Sequence, residues 1–284
     1  MRLGHGTQGD RVPRLRPAEE ISADQLDPGA RAELMTLPAD LADSVARHLV
    51  AAGLEEDPER AYLHAQEARR LAARVGVVRE ACGIAAYRAG HWAEALAELR
   101  AARRLTGRES SLPLMADSER ALGRLDKALA IVHGPQVRGL DRETQIELKI
   151  VESGIRRDQG MPEAALLALQ VPELTDGRLY PWSARLLYAY ADVLLEAGRV
   201  DEARTWFGRA AGADPEGETD AAERFDELDD VTIEDLAEDN DEDLFTADEG
   251  DHSGASEDDA AKASEEKDLE TRNDVQVSSD EELA

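Results

Sequence analysis

The chain has 284 residues, a formal net charge of −29 and a single cysteine. One cysteine excludes a disulfide within the chain and a thiolate metal cluster, so a reducing, cytoplasmic location is expected. No apolar stretch approaches the roughly 20 residues that span a bilayer, and the first residues lack the apolar core of a secretory signal. The composition therefore predicts a soluble protein that does not act at a membrane.

The negative charge is concentrated at one end of the chain. Residues 216–284 contain 29 acidic and 4 basic residues, a net charge of −25, whereas residues 1–215 have a net charge of only −4. So acidic a segment, with few aromatic side chains, buries too little apolar surface to offset the entropy of ordering it. We predict a flexible arm rich in Gly, Pro and Arg over residues 1–22, a helical domain over 23–230 and a disordered acidic tail over 231–284.

Proline marks the first helices of the helical domain. Because Pro is tolerated at the first position of a helix, Asp27-Pro28 predicts a short helix and Leu37-Pro38 a longer one that ends at Gly53. Asp57-Pro58-Glu59 is a stronger start, since a capping carboxylate precedes an acidic side chain near the positive end of the helix. No run of alternating polar and apolar residues indicates a strand, so we predict an all-α fold.

Four later segments share one pattern: Gly, a hydrophobic residue or Pro two positions on, Ala three further, and an apolar residue four after that. Their glycines are 33, 37 and 38 residues apart, the period of helical hairpins that stack into an α-solenoid. We expect each Gly to adopt the left-handed conformation that ends a helix. The segments are Gly90-Trp92-Ala95-Leu99, Gly123-Leu125-Ala128-Val132, Gly160-Pro162-Ala165-Leu169 and Gly198-Val200-Ala203-Phe207.

The repeated pattern predicts four helical hairpins and one closing helix. In the first hairpin, Gly83 is expected to face Ala95 and so to let the two helices approach closely. A further helix is predicted from Thr219 to Leu228, where it would cover the last hydrophobic face. The predicted hairpin helices are 77–89 with 92–106, 110–122 with 125–133, 141–159 with 162–170, and 180–197 with 200–213.

The first and last hairpins carry a family resemblance. Their Gly, Ala, aromatic and Pro positions match the tetratricopeptide repeat (TPR) pattern, most clearly in the last hairpin and nearly as well in the first, whereas Pro135 and Pro172 replace an expected Ala in the middle two. The matching residues are Gly83, Gly90, Trp92, Ala95, Leu99, Ala102, Gly198, Ala203, Phe207, Ala210 and Pro215. From about Ile21 to Leu236 the chain resembles an actinobacterial group of TPR proteins without an established biochemical activity. The resemblance implies a superhelical scaffold with a concave peptide-binding face and no reaction.

The resemblance also implies a set of binding residues, because the first helix of each hairpin lines the groove in this family. Arg and Tyr are the residue types that dominate interface energies, although an ordinary solvated helix surface is the alternative interpretation. The Lys and Asn pattern of the chaperone-binding members is missing, so a C-terminal Glu-Glu-Val-Asp type peptide is not the expected ligand. The implied groove residues are Glu80, Ile84, Tyr87, Asp117, Arg120, Arg157, Arg185, Tyr188 and Asp192.

A second candidate surface is basic. Residues 69–108 contain nine arginines and three acidic residues, a net charge of +6. Helical spacing places Arg100, Arg103, Arg104 and Arg108 on one side of a helix, and we call these four the basic surface. Three interpretations remain open: a solvated face, a phosphate-binding surface for RNA or DNA, and a dock for the acidic tail.

The remaining motifs do not support catalysis, a cofactor or a metal. Gly4 to Gly9 has the spacing of dinucleotide-binding glycines without a preceding strand, and Asp239 to Asp243 imitates a calcium loop that lacks its required Gly and final Glu. The six histidines show no ligand pair at helical spacing, and Cys82 is expected to be a buried, inert thiol.

Two functions follow as hypotheses. The first is a non-catalytic adaptor that binds a peptide or helix of another protein in the groove, with the acidic tail modulating the encounter. The alternative is a factor associated with nucleic acid or ribonucleoprotein, which uses the Arg69 to Arg108 segment and is regulated by the tail. Phosphate binding should weaken steeply as salt increases, whereas groove binding should change little.

Overall fold

The computed structural model of the chain describes residues 15–229, which form twelve α-helices and no β-strand. This part of the chain is all-helical, as predicted. The acidic tail, the arm up to residue 14, and both the Gly4 to Gly9 and Asp239 to Asp243 motifs lie outside the described residues. None of the helices within 15–229 combines the length and the apolar character needed to cross a membrane.

The helices of the four predicted hairpins match the expected bounds to within three residues at every end. Three short 3-10 helices, Ala23–Gln25, Pro135–Gly139 and Pro172–Leu174, lie between longer elements. The α-helices are α1 (Pro28–Leu34), α2 (Ala39–Leu54), α3 (Pro58–Ala72), α4 (Gly76–Arg88), α5 (Trp92–Thr106), α6 (Leu112–Ala121), α7 (Leu125–Val132), α8 (Arg142–Asp158), α9 (Pro162–Leu169), α10 (Ser183–Glu196), α11 (Val200–Gly212) and α12 (residues 221–229).

Aspartate caps begin two of the first three helices. The side chain of Asp27 accepts hydrogen bonds from the backbone N–H groups of Gly29 and Ala30, and that of Asp57 accepts one from Glu59. Each cap satisfies donors that have no partner within the helix, which confirms the predicted starts. The predicted end of α2 at Gly53 is one residue short, because the helix continues through Leu54.

The four repeated glycines share one backbone conformation. Gly90, Gly123, Gly160 and Gly198 have φ between +71° and +75°, and the residue after each has ψ between 58° and 66°. In every turn the residue after the Gly donates its N–H to the carbonyl five positions earlier, which closes the helix end. These bonds of 2.8 to 2.9 Å are His91 to Ala86, Arg124 to Glu119, Met161 to Arg156 and Arg199 to Leu194. The expected left-handed glycines are confirmed.

Each helix packs mainly on its neighbours in the chain, and the alternate helices α2, α4, α6, α8 and α10 also contact one another in order. The buried apolar side chains form four clusters, two of which lie between the same helices, α2, α3 and α4. A Cβ atom at Gly83 would lie 2.6 Å from Cδ2 of Leu99, so α4 and α5 approach closely there, and it is Leu99 that faces the glycine.

The helix α12 packs on α11 at the end of the described chain. Ala221 is fully buried, and the Phe225 ring lies 3.0 Å from the position of a Cβ atom on Gly208. The Arg224 guanidinium lies 5.0 Å from the centre of the Phe207 ring. These contacts confirm the predicted helix and cover the C-terminal apolar cluster.

Candidate functional site

The main candidate site is a cavity of about 570 Å³ along the helices α6, α8 and α10. These are the first helices of three consecutive hairpins. We call this cavity the groove. It is lined by Asp117 and Arg120 of α6, Ile150, Ser153, Gly154, Arg157 and Asp158 of α8, Arg185, Tyr188, Ala189, Asp192 and Glu196 of α10, and Thr219.

The structure brings together most of the groove residues that the TPR resemblance implies. Tyr87 adjoins the groove through a hydrogen bond from its hydroxyl to Asp117 Oδ2 at 2.5 Å. Glu80 accepts a hydrogen bond from Ser111 instead, and Ile84 is 39% exposed; neither lines the groove. The six that line it are Asp117, Arg120, Arg157, Arg185, Tyr188 and Asp192.

Arg120 joins two helices across the groove. Its Nε donates to Asp117 Oδ1 at 2.7 Å on its own helix, and its Nη1 donates to Asp158 Oδ2 at 2.9 Å on α8. Burial opposes the charged form, but the hydrogen bonds to these carboxylates outweigh it and raise the pKa of Arg120. The pKa of Tyr87 is also raised, by burial first and then by its hydrogen bond to Asp117. Tyr87 therefore remains a neutral donor.

Arg157 repeats this arrangement one hairpin later. Its Nη1 donates to Asp192 Oδ2 at 2.6 Å and its Nε to Glu196 Oε2 at 2.5 Å, so it connects α8 to α10. Burial lowers the pKa of Arg157, but the hydrogen bonds to Glu196 and Asp192 exceed that effect and the pKa rises. Arg224 of α12 approaches the other oxygen of Asp192 at 3.6 Å.

Arg185 is also held by carboxylates from more than one element. Its Nε donates to Glu147 Oε1 at 2.8 Å, and its Nη1 donates to Glu218 Oε2 at 3.0 Å. Glu143 lies 3.7 Å from Nη2. The three groove arginines are thus fixed in position by the protein's own acidic side chains, which lowers the entropy that a ligand would otherwise have to remove from them.

The groove has an excess of negative charge. Its lining includes three arginines and four carboxylates, and with the ion-pair partners Glu143, Glu147, Glu218 and Arg224 the group has four arginines and seven carboxylates, a net charge of −3. The resemblance implies only two of these carboxylates, Asp117 and Asp192. Asp158 and Glu196 could have been found, because each lies two residues before the Gly of its hairpin. The seven are Asp117, Glu143, Glu147, Asp158, Asp192, Glu196 and Glu218.

Three uncharged residues, Ser153, Gly154 and Tyr188, also line the groove. Ser153 is 2% exposed, and its hydroxyl has no hydrogen-bond partner among the described residues. Beside it, a Cβ atom at Gly154 would lie 3.4 Å from Arg120 Nε, so the floor has room for little more than a methyl group. The pKa of Tyr188 rises to about 12, by burial first and then by a hydrogen bond to Asp220. Tyr188 therefore supplies a neutral hydroxyl.

The basic surface is largely neutralised by acidic side chains. Arg100, Arg104 and Arg108 are exposed. Of the four members, only Arg104 forms no ion pair with another described residue. Arg100, Arg103 and Arg104 line a second cavity of about 420 Å³. The three ion pairs are Arg100 with Glu119 at 2.5 Å, Arg103 with Glu109 at 2.7 Å and Arg108 with Glu33 at 2.5 Å.

Two buried glutamates accept hydrogen bonds from arginines in or near residues 69–108. Glu119 is fully buried and accepts hydrogen bonds from Arg100 at 2.5 Å and Arg124 at 3.3 Å. Glu98, which is 6% exposed, likewise accepts 2.6 Å bonds from two arginines, Arg69 and Arg79. We call these two groups the glutamate-centred clusters.

One histidine pair escapes the sequence analysis. His48 of α2 and His64 of α3 are both buried, and their Nδ1 atoms lie 3.1 Å apart, although sixteen residues separate them in the chain. Burial is the main cause that lowers the pKa of each.

Cys82 is buried as predicted, and its pKa rises to about 11. Within residues 15–229 no group of three or more His, Cys, Asp and Glu side chains is arranged to hold a metal ion.

Comparison with protein-family models finds no family that matches this chain, and a search of curated proteins finds no similar sequence. The functional interpretation therefore depends on the geometry of the groove and its surroundings.

Proposed function

We propose that the chain is a non-catalytic adaptor whose groove binds a peptide or helix of another protein. The observation that carries the proposal is the continuous groove along α6, α8 and α10, lined by six of the residues that a TPR register selects. A groove shared by consecutive first helices suits an extended or helical ligand, because each of the three hairpins contributes side chains along its length.

We further propose that the helices form a TPR-like α-solenoid. Three observations support this arrangement: four turns with the same backbone conformation, packing between chain neighbours, and contacts between alternate helices in order. In such an arrangement α12 would act as the terminal cap, since its Ala221 and Phe225 lie on the last apolar cluster.

The absence of a catalytic role is part of the proposal. Cys82 is the one thiol of the chain, and burial raises its pKa to about 11, so the nucleophilic thiolate is disfavoured at neutral pH. The groove carboxylates form ion pairs with arginines and are thereby suited to fixing positions. A cytoplasmic location is proposed on the single cysteine alone.

The test is selection of a random peptide library on the full-length chain, followed by affinity measurements on a groove variant. Ala189→Phe places a neutral, bulky side chain in the groove, and Ala168→Phe on α9 makes the same change outside it. We expect enriched peptides that bind the wild type and Ala168→Phe equally but bind Ala189→Phe at least roughly tenfold more weakly. Failure to enrich any peptide with this dependence, while both variants melt like the wild type, would contradict the adaptor proposal.

The nucleic-acid alternative has weaker support. Three of the four arginines of the basic surface already pair with carboxylates, which reduces the charge that they could offer to phosphates. A labelled RNA whose affinity falls steeply between about 50 and 200 mM salt, and is lost in Arg104→Ala, would favour this alternative instead.

The acidic tail would assist an adaptor through its charge. Residues 231–284 contain 21 acidic and 3 basic residues. Such a segment increases the rate at which an oppositely charged partner approaches, and salt screens the effect. We propose that the tail modulates association in this way.

A further inference from the structure

The excess of carboxylates in the groove identifies the chemistry of its ligand. We infer that the groove binds a cationic peptide segment, in which Arg or Lys side chains alternate with apolar ones, of another protein. This inference rests on the proposed function and specifies its partner. It depends on three observations: the occupation of the arginines, the surplus of acceptors, and an unpaired buried hydroxyl.

The groove arginines are already occupied by the chain itself. Arg120 and Arg157 each donate to two carboxylates, and Arg185 donates to Glu147 and Glu218. Arg120 and Arg157 bond through Nε and Nη1, so an anionic ligand could reach only their remaining N–H groups, beside the two carboxylates that each arginine already pairs with. Repulsion by those carboxylates opposes the binding of a carboxylate or phosphate ligand.

The groove carboxylates have hydrogen-bonding capacity left. An ionised carboxylate offers about four lone-pair sites. Asp158 and Glu196 each accept one hydrogen bond from their arginine, through Oδ2 and Oε2, and their other oxygens accept none from the described residues. Their side chains are 39% and 42% exposed, against 30% for Arg120 and 33% for Arg157. The free oxygens of Asp158 and Glu196 can therefore accept hydrogen bonds from a ligand, and guanidinium or ammonium groups supply the complementary donors.

Ser153 gives the third observation, which is independent of charge. Its hydroxyl is buried in the groove lining and lacks a hydrogen-bond partner among the described residues. A buried polar group without a partner costs roughly 1–3 kcal/mol. A ligand polar group that reaches Ser153 would remove this cost, because a hydroxyl both donates and accepts hydrogen bonds. The hydroxyl thus favours a ligand with a polar group at this point, and the surrounding carboxylates select its charge.

Charge also excludes two other occupants. The acidic tail and the groove carry charge of the same sign, so the chain's own residues 231–284 are a poor ligand for it. Nucleic acid is repelled for the same reason. A basic protein segment is attracted by both the groove and the tail.

The test uses the full chain and a fluorescein-labelled peptide of four Ala-Arg-Leu triplets, with a four-triplet Ala-Glu-Leu peptide as the anionic probe. Fluorescence anisotropy at about 150 mM salt should show binding of the Arg peptide only. At this salt concentration, attraction between charges more than about 8 Å apart is largely screened, whereas direct contacts in the groove persist. The variant Asp192→Asn/Glu196→Gln should weaken this binding roughly tenfold or more, and Ser153→Ala should weaken it roughly threefold.

The matched control is Asp201→Asn/Glu202→Gln. It removes two carboxylates from α11, and neither of them lines the groove. Glu202 is paired with an arginine, Arg199, as Glu196 is paired with Arg157. Because both double variants change the net charge equally, attraction by the acidic tail is the same in both. We expect the control to bind within about twofold of the wild type.

Three results would overturn the inference: equal binding by both double variants, preference for the Glu peptide, or binding of neither peptide. Preference for Glu peptides, or neutral peptides from the library that depend on the groove, would overturn the ligand class and leave the adaptor proposal standing. If Asp192→Asn/Glu196→Gln melts at a lower temperature, the single variant Glu196→Gln, whose side chain is 42% exposed, decides the question.

Discussion

The groove and the glutamate-centred clusters use the same residue types in opposite proportions. In each cluster one buried glutamate accepts hydrogen bonds from two arginines, as Glu119 does from Arg100 and Arg124. In the groove each arginine donates to two carboxylates, as Arg157 does to Asp192 and Glu196. The clusters therefore retain positive charge and the groove retains negative charge.

This difference shows that the number of arginines does not determine which surface attracts an anion. The segment 69–108 has a net charge of +6, yet much of that charge meets acceptors from elsewhere in the chain, such as Glu33 and Glu119. The groove helices present three arginines in prominent positions but have an acidic net charge. Burial separates the two regions further, because the loss of a buried glutamate leaves its arginines without their acceptor, whereas a half-exposed glutamate remains accessible to a ligand.

The largest expected effect is the loss of the buried acceptor in a cluster. Glu119→Gln leaves Arg100 and Arg124 without their shared carboxylate, and we expect the free energy of unfolding to fall by about 3 kcal/mol. Urea denaturation measured by circular dichroism checks this value.

The groove provides the contrast for that measurement. Glu196→Gln removes a 42% exposed carboxylate, and we expect it to lower the free energy of unfolding by less than about 1 kcal/mol. Equal losses in Glu119→Gln and Glu196→Gln would show that burial does not distinguish the two regions.

A smaller effect is expected from added volume. Gly83→Ala would place its methyl group 2.6 Å from Leu99, so we expect overpacking to reduce stability by about 2 kcal/mol. Gly154→Ala adds the same group to the groove floor, where the nearest atom is 3.4 Å away. There the better helix propensity of Ala should leave stability unchanged or raise it by about 0.5 kcal/mol. Thermal melting of both variants tests whether the floor is less tightly packed than the α4–α5 contact.

The smallest effect is the pH dependence of stability that arises from His48 and His64, which are remote in sequence from the groove. In the folded chain the pKa values of His48 and His64 lie below the ordinary value of 6.5, mainly because both rings are buried. The unfolded chain then binds protons more strongly, so the stabilisation is complete above pH 6.5 and is lost as the pH falls through that value. We expect the free energy of unfolding to decrease between about pH 7.5 and 5.5.

Substitution isolates the contribution of the histidine pair. His64→Gln should reduce the dependence of stability on pH, while His91→Gln, which alters a partly exposed ring beside Glu59, serves as the control. An unchanged pH dependence in His64→Gln would contradict the assignment to this pair.

The sequence predicts the local structure well because its determinants are local. Gly90 and its three counterparts fix their turns through a conformation that Gly adopts easily, and Asp57 caps α3 through its immediate neighbours. The register of these turns then selects six residues that line the groove. The ion pairs are not local: Arg120 and Asp158 are 38 residues apart, and no pattern in either helix specifies that they meet.

The histidine pair was missed for a related reason. His48 falls on the apolar side of α2 and His64 lies beside the buried Ala65 of α3, so burial of each could have been inferred. Their contact depends on how α2 and α3 rotate against each other, which hydrophobic spacing constrains only coarsely.

The turns at Gly90, Gly123, Gly160 and Gly198 have matching backbone conformations. A duplication or deletion that begins in one of these turns and finishes in the next rejoins backbone of matching φ and ψ. The chain could thus gain or lose a whole hairpin without a new kind of junction. Variation in length by such steps would lengthen or shorten a binding surface while the remaining hairpins keep their own side chains.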